Sequence, residues 1–274
     1  MATRASLPNP QVLVTLPVYN EAAILGNSVE SVLRALSDSG IDFRLSIAED
    51  GSTDGTQNCV REILKRHPTI IAQSNVERRG RGWALRTLWS RVDADFYAFS
   101  DADFAADPHF LVEAIKIATA GRAVVTGSRY VPGATTVRPP LRHLVSKGYN
   151  RLTRLLFHDH VSDHQCGLKV FSREALHLLL PISREDTWFW DTEVLILANE
   201  LGLGITEFPV AWTERKSTST NVLRLASDVF IHGTGLLRLK GYQSSRPFPE
   251  RIHDSLEPVR TEHDTGLPTS NSRT

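Results

Sequence analysis

Phe96-Tyr97-Ala98-Phe99-Ser100-Asp101-Ala102-Asp103 reads as a buried strand, at 96–99, that stops abruptly on two carboxylates. A short unbroken apolar run of this kind suits a strand covered on both faces of a parallel sheet. On an extended chain, side chains at i and i+2 point the same way, so Asp101 and Asp103 could approach one hard cation together. Mg2+ and Mn2+ take one or two carboxylates and complete their shells with substrate phosphate oxygens and water. An acidic pair alone also describes an ordinary solvated loop. The surrounding pattern decides between the two.

Outward from this stretch, short β-branched runs alternate with amphipathic helical patterns. Strands are expected at 12–16, 43–48, 69–72, 96–99 and 123–126. This rhythm predicts an α/β, Rossmann-like fold with a mostly parallel sheet flanked by helices. Pro17 is expected to stop the first strand, and Asn20 to cap a helix with the stripe Leu25, Val29, Val32 and Leu36. A further helix is expected at 83–91, and Asp107-Pro108 should start another, with the aspartate at N-cap and the proline at N1. After Gly127 the rhythm breaks into a Pro/Gly/Thr-rich loop, followed by a helix at 141–157, mixed elements and a last helix at 222–239. One unit is expected over 1–242, with a first half at about 10–128 and a second at 129–242. The polar remainder, 243–274, lacks any apolar period and reads as a disordered tail.

The chain has 274 residues, and 31 Lys plus Arg balance 31 Asp plus Glu, so no global field draws it to nucleic acid. Two cysteines, Cys59 and Cys166, make no disulfide scaffold and fit a reducing compartment. No run approaches the roughly 18 apolar residues of a membrane span, and residues 1–10 have no secretory pattern. The expectation is a cytoplasmic protein, soluble or peripheral to the inner face of a membrane.

Ligands of open parallel sheets bind beyond the carboxyl ends of the strands. Four polar clusters stand at such ends: Tyr19-Asn20-Glu21, Glu49-Asp50-Gly51-Ser52, Asp101-Ala102-Asp103 and Gly127-Ser128-Arg129. With Leu16-Pro17-Val18 before the first and Thr53-Asp54-Gly55-Thr56 after the second, they resemble family 2 glycosyltransferases of the GT-A fold. Asp163-His164-Gln165-Cys166-Gly167-Leu168-Lys169-Val170-Phe171 narrows the likeness to the branch of dolichyl-phosphate mannose synthases and glucosyltransferases. The resemblance covers about residues 10–240.

The resemblance implies that Pro17, Tyr19 and Glu21 line a nucleotide pocket and that Asp50 hydrogen-bonds the base. Asp101 and Asp103 would hold the donor diphosphate through Mg2+ or Mn2+. Gly80-Arg81-Gly82 stands where the family has Gly-Lys-Gly, so Arg81 keeps a cation for phosphate. Arg129, Arg142 and Ser146 would meet the phosphate of a polyprenyl acceptor; Arg142 and Ser146 share a helix face at i and i+4. Arg215 occupies the late arginine position, toward the leaving diphosphate. Two positions depart from the pattern: Ala105 replaces a common Gln, and Thr218-Ser219-Thr220-Asn221 replaces Gly-x-Ser-Lys. The Gln165-Cys166-Gly167 signature tilts the donor toward UDP-glucose over GDP-mannose.

Several residues keep two readings. In the helix 141–157, Leu141, Val145, Gly148, Leu152 and Leu155 form one stripe and His143, Lys147, Arg151 and Arg154 another, with no acid. Such a helix lies on an anionic membrane or buries its leucines in the core. Asp191 is a general base for a hydroxyl acceptor, an orienting group, or a helix N-terminal acid. Trp188, Phe189 and Trp190 pack or stack on a ligand. His158, His160, His164 and Cys166 supply zinc-type donors without a structural zinc spacing. The leading expectation is an inverting hexosyl transfer from a nucleotide sugar to a polyprenyl phosphate. The alternatives are a soluble transferase acting on a hydroxyl, with Asp191 as base, and a sugar-nucleotide-binding protein without turnover.

Overall fold

The computed structural model describes residues 10–213 and 222–244. The elements of the first half are β1 (Val12–Val18), α1 (Leu25–Ser37), β2 (Phe43–Glu49), α2 (Thr56–Arg66), β3 (Ile71–Ser74), α3 (Arg81–Trp89), β4 (Phe96–Ser100), α4 (Pro108–Thr119) and β5 (Val124–Ser128). Then come β6 (Thr135–Val137), α5 (Pro140–Phe157), β7 (Leu168–Ser172), α6 (Arg173–Leu179), α7 (Trp190–Glu200), β8 (Ile205–Pro209), β9 (Ala211–Thr213) and α8 (Val222–Ser244).

Seven strands form one sheet in the order β3-β2-β1-β4-β7-β5-β8, and β6 pairs with β9 in a small second sheet. β7 runs antiparallel to both β4 and β5; the other pairings of the large sheet are parallel. The expected mostly parallel α/β architecture is therefore present, with one reversed strand in its interior, fifth of seven. That strand was not legible because Lys169 interrupts its apolar run, although the lysine is fully buried.

Successive residues of β1 face opposite layers. Val12, Val14, Leu16 and Val18 pack with Leu25, Val29, Val32 and Leu36 of α1, Val60 and Ile63 of α2, and Leu111 and Ile115 of α4. Leu13 faces the other layer, with Leu85, Leu88 and Trp89 of α3, Leu176 and Leu179 of α6, and Val194, Leu195 and Leu197 of α7. The four stripe residues of α1 are at most 1% exposed, each worth about 1.5–3 kcal/mol in burial. A third cluster, with Phe157, Phe189, Ile196, Leu236 and Leu239, seats α5 and α8 against α7.

Three local expectations are corrected. β1 runs through Pro17 to Val18, because its pairing with β4 ends at Thr15 and the missing N–H leaves no gap on that side. Asn20 does not cap α1, which starts five residues later without a side-chain cap bond. Asn20 instead sits at φ 57°, donates its N–H to Ser52 Oγ (2.9 Å) and accepts from Thr53 N–H (2.8 Å), tying the loop after β1 to that after β2. The third strand is Ile71–Ser74 and the next helix Arg81–Trp89, both shifted from the expected windows. Asp107 does cap α4, accepting from His109 N–H at 2.8 Å, with Pro108 first in the helix. α8 extends through Ser244, past the expected start of the tail, and the rest of that tail lies outside the described residues.

Candidate active site

The clusters at the ends of β1, β2 and β4 converge with the turn before α3. Pro17 is half-buried in β1, and the Arg78 guanidinium lies over the Tyr19 ring at 4.0 Å. Glu21 donates its N–H to Thr56 Oγ1 at 2.9 Å. Asp50 is buried and accepts from Asn75 Nδ2 (3.0 Å), Arg79 N–H (2.8 Å) and Gly80 N–H (2.7 Å). Its carboxylate thus shapes loop 75–80, and of about four lone-pair sites one remains for a base. Gly51 stands at φ 69°, where a Cβ would strike the Glu77 backbone. Only glycine serves there.

Arg81 is the hub. It is buried, ion-paired to Asp101 and, at 3.2 Å, to Asp191 Oδ2. Its guanidinium lies between the rings of Phe99 (4.7 Å) and Trp188 (4.6 Å). Burial opposes its charge, but Asp101, Asp191 and Asp103 outweigh that and hold Arg81 above its ordinary value. Flanking it, Gly80 and Gly82 are glycines because a Cβ would collide with the carbonyls of Asp186 and Glu185. Trp83 N–H donates to Asp186 O (3.1 Å), and Arg86 Nη1 to Ser183 O (2.9 Å). The turn expected to serve phosphate therefore also docks the segment 183–188.

Asp101 and Asp103 lie in a turn, which corrects the expected extended geometry. Asp101 N–H donates to Gly167 O (2.9 Å), Phe104 N–H donates back to Asp101 O (3.3 Å), and Phe104 has φ 46°. Burial raises the Asp101 carboxyl to about 6; Arg81 opposes the rise, while Asp103 and Asp191 add to it. Gly167 leaves room for this carboxylate, which a Cβ there would overlap. Asp103 Oδ1 accepts from Ala105 N–H at 3.1 Å. Three carboxylates around one guanidinium leave negative charge uncompensated, on oxygen donors that suit a hard divalent cation sharing its shell with phosphate. Asp101 and Asp103 would hold it. Among the described residues, no group of three or more His, Cys, Asp or Glu is arranged around a metal position, so the zinc reading has no cluster behind it.

On the other side, Arg142, Ser146 and Tyr149 of α5 line a cavity of about 310 Å³ with Gln165 and with His232 and Leu236 of α8. Ser146 Oγ donates to Gln165 Oε1 at 3.3 Å. Tyr149 Oη donates to Thr192 Oγ1 at 2.8 Å, so one wall residue of the cavity is bonded to the first turn of α7, where Asp191 sits. Asp191 Oδ1 is buried and has no hydrogen-bond partner among the described residues. Arg129 is not in this cavity: its fork is spent on Asp163, Nε to Oδ2 and Nη2 to Oδ1, both at 2.7 Å. Arg215 and residues 218–221 lie outside the described residues.

α5 buries its polar side. Ser146, Asn150, Thr153 and Phe157 are inside, whereas Leu144 and Leu155 are 68% and 66% exposed. Leu141 and Leu152 are exposed as well, so the leucines of the expected stripe do not fill the core. Phe189 and Trp190 pack fully; Trp188, half-exposed, covers Arg81. Sequence reasoning missed Tyr149 and Lys169 as parts of the site. Lys169 Nζ donates to the carbonyls of Cys166 (2.8 Å) and His164 (3.2 Å), and burial pushes it down. Its signal was a lone lysine inside an apolar run.

Residues 13–180 match Glycosyl transferase family 2. Glycosyltransferase AglD of Haloferax volcanii is 33% identical over 246 residues, 89% of this chain and 39% of that protein, so the chain spans about two fifths of AglD. A dolichyl-phosphate beta-glucosyltransferase of Trichomonas vaginalis is 30% identical over 83% of this chain and 75% of its own. Glucosyl-3-phosphoglycerate synthase of Mycobacterium tuberculosis, in complex with Mn2+, UDP-glucose and phosphoglyceric acid, has a TM-score of 0.65 at 22% identity, covering 85% of this chain and 80% of that one. Its complex with Mg2+ and UDP gives 0.64 at 22% identity, with the same coverage. The likeness shows the fold to be GT-A-like.

Proposed function

Since the chain belongs to glycosyltransferase family 2, we propose that it moves a hexose, with inversion, from a nucleotide sugar to a polyprenyl phosphate. The observation that carries this reading is the α5–α8 cavity. Its walls are largely apolar, Arg142, Ser146 and Gln165 offer polar groups, and its wall residue Tyr149 is bonded to Thr192, the neighbour of Asp191 on α7. An apolar groove with a cation and a hydroxyl suits a lipid phosphate better than a fully polar acceptor. The names of the dolichyl-phosphate glucosyltransferase relatives support the same acceptor class, and UDP-glucose in a structural neighbour supports a nucleotide-sugar donor.

In this reading Pro17, Tyr19, Glu21 and Asp50 hold the nucleotide. Asp101 and Asp103 would hold a divalent cation, whose chemistry there would be positive charge for the leaving diphosphate. Arg81 fixes Asp101 and Asp191 in one frame and adds a buried positive charge beside the donor, and Arg215 is assigned to the diphosphate by resemblance alone. Arg142 and Ser146 orient the acceptor phosphate, with Arg129 acting through Asp163 on the loop behind them. A phosphate oxygen forms the new bond to the anomeric carbon as the bond to the diphosphate breaks. A phosphate monoester, with a second pKa near ~6, is already ionised at neutral pH and needs no base.

The exposed leucines and basic residues of α5, with no acid on that helix, fit contact with an anionic membrane surface. Among the described residues no helix is long and apolar enough to cross a membrane. The test is transfer from labelled UDP-glucose and GDP-mannose, with and without a short-chain polyprenyl phosphate. A lipid-linked hexose formed only with the phosphate is expected; equal transfer to the free polyprenol overturns the reading. The second reading, a hydroxyl acceptor, draws on Asp191 Oδ1, a buried oxygen that has no partner among the described residues and could take a proton.

A further inference from the structure

His164 lies at the centre of a buried polar lattice that the transfer reaction does not use. His164 and Asn150 are at most 1% exposed, and Asp159 is 5% exposed. Asn150 Oδ1 receives both the His164 backbone N–H (3.0 Å) and the ring Nδ1 (2.9 Å). The amide cannot be turned over, because its Nδ2 donates to Ser146 O at 3.0 Å. An amide oxygen cannot donate, so Nδ1 carries a hydrogen. Nε2 faces Asp159 Oδ2 at 3.1 Å, and Asp159 Oδ1 accepts from Val161 N–H at 2.9 Å. Two bonds to Asn150 Oδ1, one from the His164 backbone N–H and one from its ring Nδ1, thus join the segment 159–167 to α5, while Nε2 faces Asp159 within the segment.

That segment touches both substrate sides. Gln165 follows His164 and bonds Ser146 in the cavity, and Gly167 sits against the Asp101 carboxylate. Below, Lys169 Nζ holds the carbonyls of His164 and Cys166. The geometry points to His164 as a positioning residue that sets the register of α5, and with it Ser146 and Arg142, on the loop beside Asp101. The effect on acceptor use rests on the cavity being the acceptor site; the clamp itself does not.

Hydrogen exchange on the full chain tests the clamp without any acceptor. His164→Ala should speed exchange of the α5 amides around 146–150 about tenfold or more, with β1 and β4 unchanged. Unchanged α5 exchange, or equal acceleration throughout, overturns the proposal. In kinetics with a short-chain polyprenyl phosphate, His164→Ala should raise the acceptor KM about tenfold, while donor affinity and kcat move less than about threefold. His164→Asn keeps a donor near the Nδ1 position and should recover most of that loss; a parallel fall in donor affinity, or no recovery, overturns the proposal. If His164→Ala does not fold, 15N-histidine spectra of the unaltered protein decide. They should show a slowly exchanging proton on His164 Nδ1, and a ring protonated on Nε2 alone overturns the clamp. If the unaltered protein fails to use the lipid phosphate, the acceptor reading falls while the exchange and spectral results still judge His164.

Discussion

At the ends of β1, β2 and β4, charged and polar side chains are tied to the backbone of another segment. Asp50 holds loop 75–80, Asn20 holds the loop after β2, and Arg81 spans Asp101 and Asp191 between two rings. Along α5 the arrangement differs, with Ser146, Asn150 and Thr153 buried and leucines and basic residues outside. A donor site must present fixed charge to a diphosphate whose geometry is always the same, and preorganised groups do that without reorganising during reaction. A lipid acceptor needs instead an open apolar entry with a polar end. The difference teaches that substitutions on the first side should harm stability and chemistry together, and on the second acceptor use alone.

The largest effect should come from the donor side. Asp103→Ala should lower turnover on the order of a thousandfold or more, and a chelator should do the same reversibly. Steady-state transfer assays with and without added Mg2+ or Mn2+ check this; undiminished transfer in chelator removes the cation from the account. Next, Arg81→Leu should destabilise the fold by about 3–5 kcal/mol, since it strands two carboxylates beside apolar rings. Urea unfolding measures it. A change under about 1 kcal/mol would show Arg81 to be a phosphate ligand without a structural role.

How far the sequence carried differs between the two sides as well. The strands of the first half, the strand-end position of Asp101 and the Asp107 cap were legible because their signals are local: apolar runs, strand-end polar clusters and capping chemistry. The family resemblance supplied roles that spacing alone could not. Asn20 misled because its side chain serves a loop 33 residues away instead of its own helix. β7 was hidden by Lys169, whose charge is satisfied by carbonyls of its own preceding turn, a tertiary solution no pattern reveals. Arg129 read as a ligand residue, whereas its fork is filled by Asp163, 34 positions on. On α5, the apolar stripe was visible but the face that turns inward was not, because the buried side is held by hydrogen bonds such as that from His164 N–H to Asn150 Oδ1.

The middle-sized effects discriminate the acceptor. With a polyprenyl phosphate, Arg142→Ala removes a charge-assisted contact worth about 1.5–3 kcal/mol, or roughly a ten- to hundredfold loss of acceptor efficiency. Asp191→Asn should then keep much of the rate. With a hydroxyl acceptor the order inverts, and Asp191→Asn should cost on the order of a hundredfold from lost base catalysis. Both are read as kcat/KM for acceptor, with donor binding as the folding control. A silent Arg142→Ala beside an inactive Asp191→Asn would end the lipid-phosphate reading.

The smallest effect concerns the segment that joins the two sides. Glu193 of α7 is 3% exposed and accepts from Arg184 N–H and Glu185 N–H, so it holds the segment that docks on Gly80 and Gly82. Burial raises its carboxyl to about 6; the two backbone N–H bonds oppose the rise without cancelling it. A carboxyl raised on folding contributes stability in full below its unfolded value near 4.5, and that contribution is lost as pH rises through about 6. The rise from 4.5 to about 6 corresponds to ~2 kcal/mol at most. Glu193→Gln removes the ionisation while keeping one acceptor oxygen for the N–H pair. The variant should therefore gain on the unaltered protein between pH 4.5 and 7.5 by up to ~2 kcal/mol, whatever the absolute sign at either end. Denaturant unfolding of both proteins across that range gives the difference curve. A flat curve would mean that Glu193 ionises inside the fold as easily as in water, and that the 183–188 segment opens far more readily than its bonds to α3 imply.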